Sequence, residues 1–126
     1  MIVFAVSMRQ DHEPPPAIAS YGWRFHHLGI PTVTPRAGEH YLADCMAYVQ
    51  GFDASPYGIE WMRFESASPV SELVRTVPHV PFEVDDLEAA LTQIGDQTAI
   101  TSPSAGVRVA MFEDNGAPIE LIEFSK

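Results

Sequence analysis

In the second half of the chain, the spacing of apolar residues changes from that of a strand to that of a helix. Residues 77–84 alternate with the two-residue period of a strand, and residues 87–94 place their apolar side chains on one side of a helix. Asp85 and Asp86 precede this helix and Gly95 follows it, as is typical of helix ends. Three further strands are predicted over residues 98–101, 107–113 and 119–124. The second half therefore has the predicted order strand, helix, strand, strand, strand.

The first half fits the same order less clearly. Residues 21–33 form a strand candidate, and residues 59–65 form a clear strand. Residues 40–52 are ambiguous between a short helix and a strand, although their last five residues, Tyr-Val-Gln-Gly-Phe, favour a strand. A helix in this half is therefore predicted to be short or absent.

A proline-rich stretch separates the beginning of the chain from the rest. Residues 11–16 read Asp-His-Glu-Pro-Pro-Pro, which is not compatible with the middle of a sheet. We therefore predict an N-terminal extension over residues 1–20, either flexible or packed on a partner chain. The remainder has the length of a single domain over residues 21–126. Its first module spans residues 21–66 and its second spans residues 76–126.

A His and a Glu recur in the same order in both halves. His27 lies in Arg-Phe-His-His-Leu-Gly-Ile-Pro-Thr, and His79 lies in Thr-Val-Pro-His-Val-Pro-Phe-Glu-Val. Each is followed later by a similar strand, Gly-Ile-Glu-Trp containing Glu60 and Pro-Ile-Glu-Leu containing Glu120. The interval from His to Glu is shorter in the first half by about two helical turns. Because chance rarely duplicates both a pattern and its order, we interpret the two halves as an internal repeat.

Strand alternation places His79 on the face of its strand that points away from the predicted helix. His27 and His79 each share a face with Gly or Pro two residues away, whereas Val80 points toward the predicted helix. Glu60 and Glu120 have apolar neighbours on their own faces, where an unpaired carboxylate is costly to bury. The pattern predicts an open cup that holds a ligand.

Two imidazoles and two carboxylates are suitable ligands for a divalent transition metal. Taken singly, each of the four residues is better explained as an ordinary strand residue, so the metal hypothesis depends on their matched order. A metal in the cup would act as a Lewis acid, and Glu120 or Glu60 would transfer the proton. The sequence does not choose between the two carboxylates. His26 is predicted to point to the opposite face and is assigned no catalytic role.

Composition excludes several function classes. The formal net charge of −10 repels nucleic-acid phosphates and anionic lipid, so neither is expected as a partner. A single cysteine, Cys45, excludes an intrachain disulfide. The sequence shows no signal-peptide pattern and no apolar run of membrane-spanning length. We therefore expect a cytoplasmic protein that acts on a small molecule.

With these residues in place, the chain resembles the vicinal oxygen chelate superfamily. The segments His-His-Leu-Gly-Ile, Pro-His-Val-Pro-Phe-Glu-Val-Asp-Asp-Leu-Glu-Ala-Ala-Leu and Gly-Ala-Pro-Ile-Glu-Leu-Ile-Glu-Phe are similar to the starts and ends of its modules. The resemblance covers residues 22–126 and implies an α+β fold, in which two tandem βαβββ modules form a curved, mostly antiparallel sheet around a metal cup. It also implies a homodimer and a divalent metal ion held by His27, Glu60, His79 and Glu120.

The ligand set is similar to that of bacterial-type glyoxalase I. It implies a metal-dependent lyase or isomerase that uses Ni, Co, Zn, Mn or Fe and acts on a small oxygenated substrate. Glu120 and Glu60 are the catalytic candidates. The first module is short, however, and contains no segment similar to the glutathione-binding parts of glyoxalase I.

Other members of the superfamily suggest alternatives. Extradiol dioxygenases use two His and one Glu, the epimerases typically have Gln at the position of Glu60, and bleomycin-binding members lack the metal set. The chain is therefore also compatible with a small ring-cleaving dioxygenase or with a non-catalytic, antibiotic-like small-molecule binding protein of the same fold. A third alternative is a non-catalytic module whose acidic surface binds a protein partner.

Overall fold

The computed structural model describes residues 8–126, and the first seven residues lie outside the described range. Part of the predicted N-terminal extension therefore lies outside that range, and the predicted domain boundaries stay predictions. None of the helices formed by residues 8–126 is both long and apolar enough to cross a lipid bilayer. In chain order the elements are α1 Pro16–Ala19, β1 Arg24–Phe25, β2 Leu28–Pro31, β3 His40–Leu42, β4 Ala47–Gln50, β5 Ile59–Phe64, α2 Glu72–Thr76, β6 Val80–Glu83, α3 Leu87–Ile94, β7 Thr101–Ser104, β8 Val107–Asp114 and β9 Ala117–Phe124.

The two halves of the chain form sheets with the same strand order. The first sheet is β2-β5-β4-β3 and the second is β6-β9-β8-β7, with the short β1 added at β6. In each module the first and last strands are parallel and the other pairs are antiparallel. This arrangement confirms the predicted α+β fold of two βαβββ modules. Residues 32–39 form no helix between β2 and β3, so the first-module helix is absent, as expected.

The two sheets meet at their first strands. Gly29 and His79 form an antiparallel bridge in which each backbone N–H donates to the other's carbonyl at 2.9 Å. β2 lies beside β5 and β6 lies beside β9, the last strands of the two modules. β5 and β9 therefore flank this junction. The junction therefore brings together the strands that carry the repeated His and Glu residues.

Helix α3 covers the outer face of the second sheet and forms the core there. Its span, Leu87–Ile94, agrees with the sequence prediction, and Asp86 caps it by accepting the Ala89 N–H at 3.0 Å. Gly95 ends the helix with a φ of +69°, a left-handed conformation that favours glycine. The buried core residues are Trp23, Val84, Leu87, Ala90, Leu91, Ala110 and Leu121.

Long side chains cover the face of the first sheet that is equivalent to the face covered by α3 in the second. Arg36, from the loop after β2, stacks over the Trp61 ring at 4.7 Å. Arg63 lies over the Tyr48 ring at 4.3 Å and forms a bidentate ion pair with Glu39. The arginine side chains and the aromatic rings thus shield apolar surface on this face, as α3 does in the second module.

Two predicted elements differ from the structure. The strand predicted over residues 98–101 begins only at Thr101 and extends to Ser104. Pro103 is tolerated there because β7 is the edge strand of its sheet, where a missing N–H disrupts no inner pairing. The ambiguous residues 40–52 form the antiparallel pair β3 and β4 rather than a helix.

Candidate metal centre

A β-bulge places His27 in the cup. Arg24 and Phe25 pair with Glu83 and Phe82, but the next pair along the strand is Gly29 with His79. Residues 26–28 on one strand therefore face only residues 80–81 on the other, so one residue is extra. The long predicted strand over residues 21–33 is interrupted at this point.

The bulge corrects the prediction for His26. In an unbroken strand, His26 and His27 would point to opposite faces. In the structure the two rings lie 5.1 Å apart, and their Nδ1 atoms approach to 2.8 Å. His26 therefore contacts a predicted metal ligand, and alternation failed because it assumes regular pairing. The adjacent His-His pair was the only sequence signal for this contact.

The His79 ring lies directly over Gly29. A Cβ atom at residue 29 would overlap this ring, so only glycine leaves room for it. His79 is buried, and its Nδ1 atom is shielded from solvent without any hydrogen-bond partner among the described residues. A buried polar nitrogen without a partner is costly, unless a ligand or a metal ion engages the ring.

Glu120 and Glu60 enter the cup from the last strands of the two modules. Glu120 pairs with Pro81 of β6, and Glu60 pairs with Gly29 of β2. His27, His79 and Glu120 each offer one ligand atom, and these three atoms lie within 4.8 Å of one another. Glu60 is not part of that tight group, although its Oε1 lies 3.6 Å from His27 Nε2.

The cup holds neutral imidazoles beside carboxylates that resist ionisation. Burial, with a further contribution from Glu60, raises the pKa of Glu120 to about 7, and burial also raises the pKa of Glu60. Burial, followed by the neighbouring His26 and His79, lowers the pKa of His27 to about 3, and burial lowers the pKa of His79. The contact between His27 and Glu60 is therefore not an ion pair at neutral pH.

These residues fit a divalent cation. Among residues 8–126, no Lys or Arg side chain forms an ion pair with Glu60 or Glu120. Neutral imidazole nitrogens and carboxylate oxygens are the forms in which His and Glu bind Zn²⁺, Ni²⁺ or Fe²⁺. A cation would engage the buried His rings and compensate the desolvated carboxylates. The donor set, the burial and the unpartnered His79 nitrogen therefore agree with the predicted metal.

A second group of carboxylates, formed by Asp86, Glu88 and Glu123, is satisfied by the protein itself. Arg108 forms ion pairs with Glu88 and, at 2.9 Å, with Glu123. Asp86 and Glu123 also accept backbone N–H groups at the start of α3. These carboxylates stabilise the helix and need no metal.

A cavity adjoins the cup between β3, β4 and the loop that follows β4. Its volume is about 290 Å³, and Glu60 forms part of its wall. Its apolar lining comes from Leu42, Val49 and Phe52. Sequence analysis did not find these residues, because only the pairing of β3 with β4 brings them beside Glu60. By contrast Tyr57 and Trp61 line a separate cavity with Arg36.

Two neighbouring residues of β8 lie in different surroundings. Met111 pairs with Glu120 across β8 and β9, so it belongs to the face of the cup, whereas Phe112 packs against the core. Cys45 is half-buried, and burial raises the pKa of its thiol, with smaller contributions from Asp44, Glu120 and Glu60. A thiol with a raised pKa is a poor nucleophile.

Comparison with known proteins supports the fold. No protein-family model matches the sequence, and no curated protein matches it. Among solved structures, a hypothetical protein from Bacillus halodurans C-125 is similar at 13% identity and a TM-score of 0.56, over 82% of this chain and 96% of that chain. Methylmalonyl-CoA epimerase from Mycobacterium tuberculosis is similar at 16% identity and a TM-score of 0.52, over 82% of this chain and 89% of that chain.

Sequence identities this low carry information on the fold alone. Methylmalonyl-CoA epimerase is a member of the superfamily that the sequence resembles. The likeness covers most of both chains, and the strand order repeats in the two modules. Together these findings show that the chain has the fold of the vicinal oxygen chelate superfamily.

Proposed function

We propose that this protein is a divalent-metal-dependent enzyme of glyoxalase-like lyase or isomerase type. The observation that carries the proposal is the buried cluster of His27, His79 and Glu120, which has no cationic side chain to neutralise it within residues 8–126. These three residues would hold the metal. A metal bound there supplies Lewis-acid activation of a substrate carbonyl oxygen.

Glu60 is the better candidate for the proton-transferring base. It lies outside the tight cluster of possible ligands, yet it forms part of the cavity wall. Burial raises its pKa, which brings a carboxylate closer to the range in which it can both accept and return a proton near neutral pH. Glu60 would take the proton from the hydroxyl-bearing carbon next to the carbonyl and return it to the former carbonyl carbon, while the hydroxyl proton would pass to the former carbonyl oxygen. Glu120 would stay with the metal.

The cavity favours a small substrate with an apolar body and no anionic group. Its wall contains Leu42, Val49 and Phe52, together with acidic Asp53 and Glu60. Among residues 8–126, no Lys or Arg lines this cavity; Arg36 donates to Gln50, and Arg63 pairs with Glu39. A coenzyme A thioester, the type of substrate named for the Mycobacterium tuberculosis protein, would need cationic partners for its phosphates. We therefore propose neutral hydroxyketones as the first substrates to test.

Solvent exchange tests this proposal directly. Metal-loaded protein would be incubated in D₂O with acetoin or 2-hydroxyacetophenone, and deuterium uptake next to the carbonyl would be followed by NMR. We expect exchange with wild type, loss of exchange with retained metal for Glu60→Gln, and loss of metal for His79→Ala. Metal content would be measured by elemental mass spectrometry. Absence of metal from wild type after loading would disprove the proposal.

A ring-cleaving dioxygenase is the second candidate. The tight group consists of two His and one Glu, the donor set typical of non-haem iron oxygenases. An oxygen electrode would test it with Fe²⁺-loaded protein and 4-methylcatechol. Oxygen uptake without exchange of the hydroxyketones would favour the dioxygenase. A metal-loaded protein that shows neither reaction would favour a non-catalytic binding protein.

A further inference from the structure

We propose that His26 is a positioning residue that orients His27 for metal binding through a hydrogen bond between their Nδ1 atoms. This inference rests on the proposed metal site. The two Nδ1 atoms lie 2.8 Å apart, a distance at which one nitrogen must donate a proton to the other. The β-bulge creates the contact, because regular pairing would direct the two rings to opposite faces.

Two aromatic rings hold His26 in place. Its ring lies 5.1 Å from that of Phe52, with an angle of 31° between the planes, and 5.5 Å from that of Phe124, with an angle of 36°. Phe52 follows β4 in the first module, and Phe124 ends β9 in the second. Contacts from both modules therefore restrict the His26 ring, so its Nδ1 atom presents a fixed partner to His27.

The hydrogen bond selects which nitrogen of His27 is free. With Nδ1 engaged by His26, Nε2 is the atom that lies beside the carboxylates, 3.6 Å from Glu60 Oε1. A neutral imidazole binds a metal only through a nitrogen without a proton. We infer that His27 Nδ1–H donates to His26 Nδ1, which leaves Nε2 free as a ligand. Histidine ligands are commonly oriented by such a bond from their second nitrogen.

The two proposed histidine ligands are oriented by different means. His79 Nδ1 has no partner among the described residues, and its ring is confined by its close packing over Gly29. His27 instead has a hydrogen-bond partner, the Nδ1 atom of the preceding residue His26, whose ring is held between Phe52 and Phe124. The orientation of His27 therefore depends on the imidazole of His26, which can be replaced without changing His27 or His79.

Two substitutions separate hydrogen bonding from packing. His26→Phe keeps an aromatic ring between Phe52 and Phe124 but removes the acceptor. His26→Asn removes most of the ring and keeps an oxygen near the position of Nδ1, where it can accept the His27 proton. His12→Phe is the matched control, because the His12 side chain is 83% exposed and distant in sequence from the cup.

The experiment uses Zn²⁺ affinity, measured by competition with a chelator, and the His27 tautomer in the metal-free protein, measured by ¹⁵N–¹H correlation NMR. We expect the wild-type proton on His27 Nδ1. We expect His26→Phe to weaken Zn²⁺ binding about 10- to 100-fold, His26→Asn to restore most of the affinity, and His12→Phe to resemble wild type. Circular dichroism would confirm that each variant is folded.

The outcomes distinguish this inference from the proposed function. A wild-type proton on His27 Nε2 would overturn the inference, as would unchanged Zn²⁺ affinity in His26→Phe. If wild type binds no Zn²⁺ or other divalent metal, the proposed function fails. The tautomer measurement needs no metal and would still decide whether His27 donates to His26.

Discussion

The ring of His79 lies over Gly29, and the two residues also exchange a pair of 2.9 Å backbone hydrogen bonds. This single contact joins the two sheets and sets the position of a proposed metal ligand. The backbone of one module therefore determines where a side chain of the other can lie.

Gly29→Ala should weaken metal binding. The added Cβ would overlap the His79 ring, which must rotate or shift away from His27 and Glu120. We expect at least a tenfold loss of Zn²⁺ affinity in chelator competition. Gly38→Ala is the control, since open space surrounds Gly38 and its φ of +80° predicts only a backbone cost of about 1 kcal/mol. Equal metal affinity in the two variants would contradict the role assigned to Gly29.

The metal-free protein should lose stability as Glu120 ionises. Its pKa is raised to about 7 in the folded state, so folding favours the protonated carboxyl. This contribution is fully present below the pKa of the unfolded chain, about 4.3, and is lost as the pH rises through about 7. Glu120→Gln should therefore gain stability relative to wild type over this range, by up to about 3 kcal/mol.

Urea unfolding in EDTA at several pH values would measure that difference. The lowered pKa of His27 acts in the opposite direction, since its contribution is present above about 6.5 and is lost as the pH falls toward about 3. Because His27 is present in both proteins, its contribution largely cancels in the difference between the unfolding free energies of Glu120→Gln and wild type. A stability difference that does not change between pH values of about 4.5 and 8 would contradict the proposed burial of Glu120.

Glu123 should stabilise the fold without affecting the metal. One carboxylate oxygen accepts the Leu87 N–H at 2.8 Å at the start of α3, and the other pairs with Arg108 at 2.9 Å. We expect Glu123→Ala to lower the free energy of unfolding by about 1–2 kcal/mol, with unchanged Zn²⁺ affinity. Glu113→Ala, at an exposed position of β8, serves as the control. Loss of metal in Glu123→Ala would show that the two carboxylate groups are coupled.

Leu121→Ala should be among the most destabilising single changes. Leu121 has no exposed surface and packs in the core beneath α3, next to Glu120 in sequence but on the opposite face of β9. The cavity left by the lost side chain predicts a loss of about 2–5 kcal/mol in urea unfolding. Val33→Ala, at a side chain that is 91% exposed, should change stability by less than about 0.5 kcal/mol. A small effect at Leu121 would mean that α3 packs elsewhere.

The homodimer also stays a prediction, and light scattering would test it. In the described part of the chain, β3 ends the first sheet and β7 ends the second on the side away from the β2–β6 junction, and each has one unpaired edge. Unpaired edges favour association with another strand. A monomer at all accessible protein concentrations would contradict this prediction.

Local patterns were sufficient for much of the fold. The bounds of α3 depend on the apolar period of the helix itself, on Asp86 at its start and on Gly95 at its end. Each cap acts within one helical turn of the residues it affects. The repeated order of His27, Glu60, His79 and Glu120 predicted two equivalent modules, because each module repeats the same strand order. Alternation along β9 placed Glu120 and Leu121 on opposite faces, as the structure has them.

Tertiary structure decided what alternation could not. His26 meets His27 because β6 has one residue fewer than the strand it faces, and only the pairing of two distant segments creates that bulge. Pairing with β8 likewise sets the limits of β7. In a regular strand such as β9, the sequence by itself determined on which face each side chain lies, since side-chain direction follows a local period. Which of the candidate residues lie within reach of one metal ion depends on the distances between strands, and only the folded sheets set those.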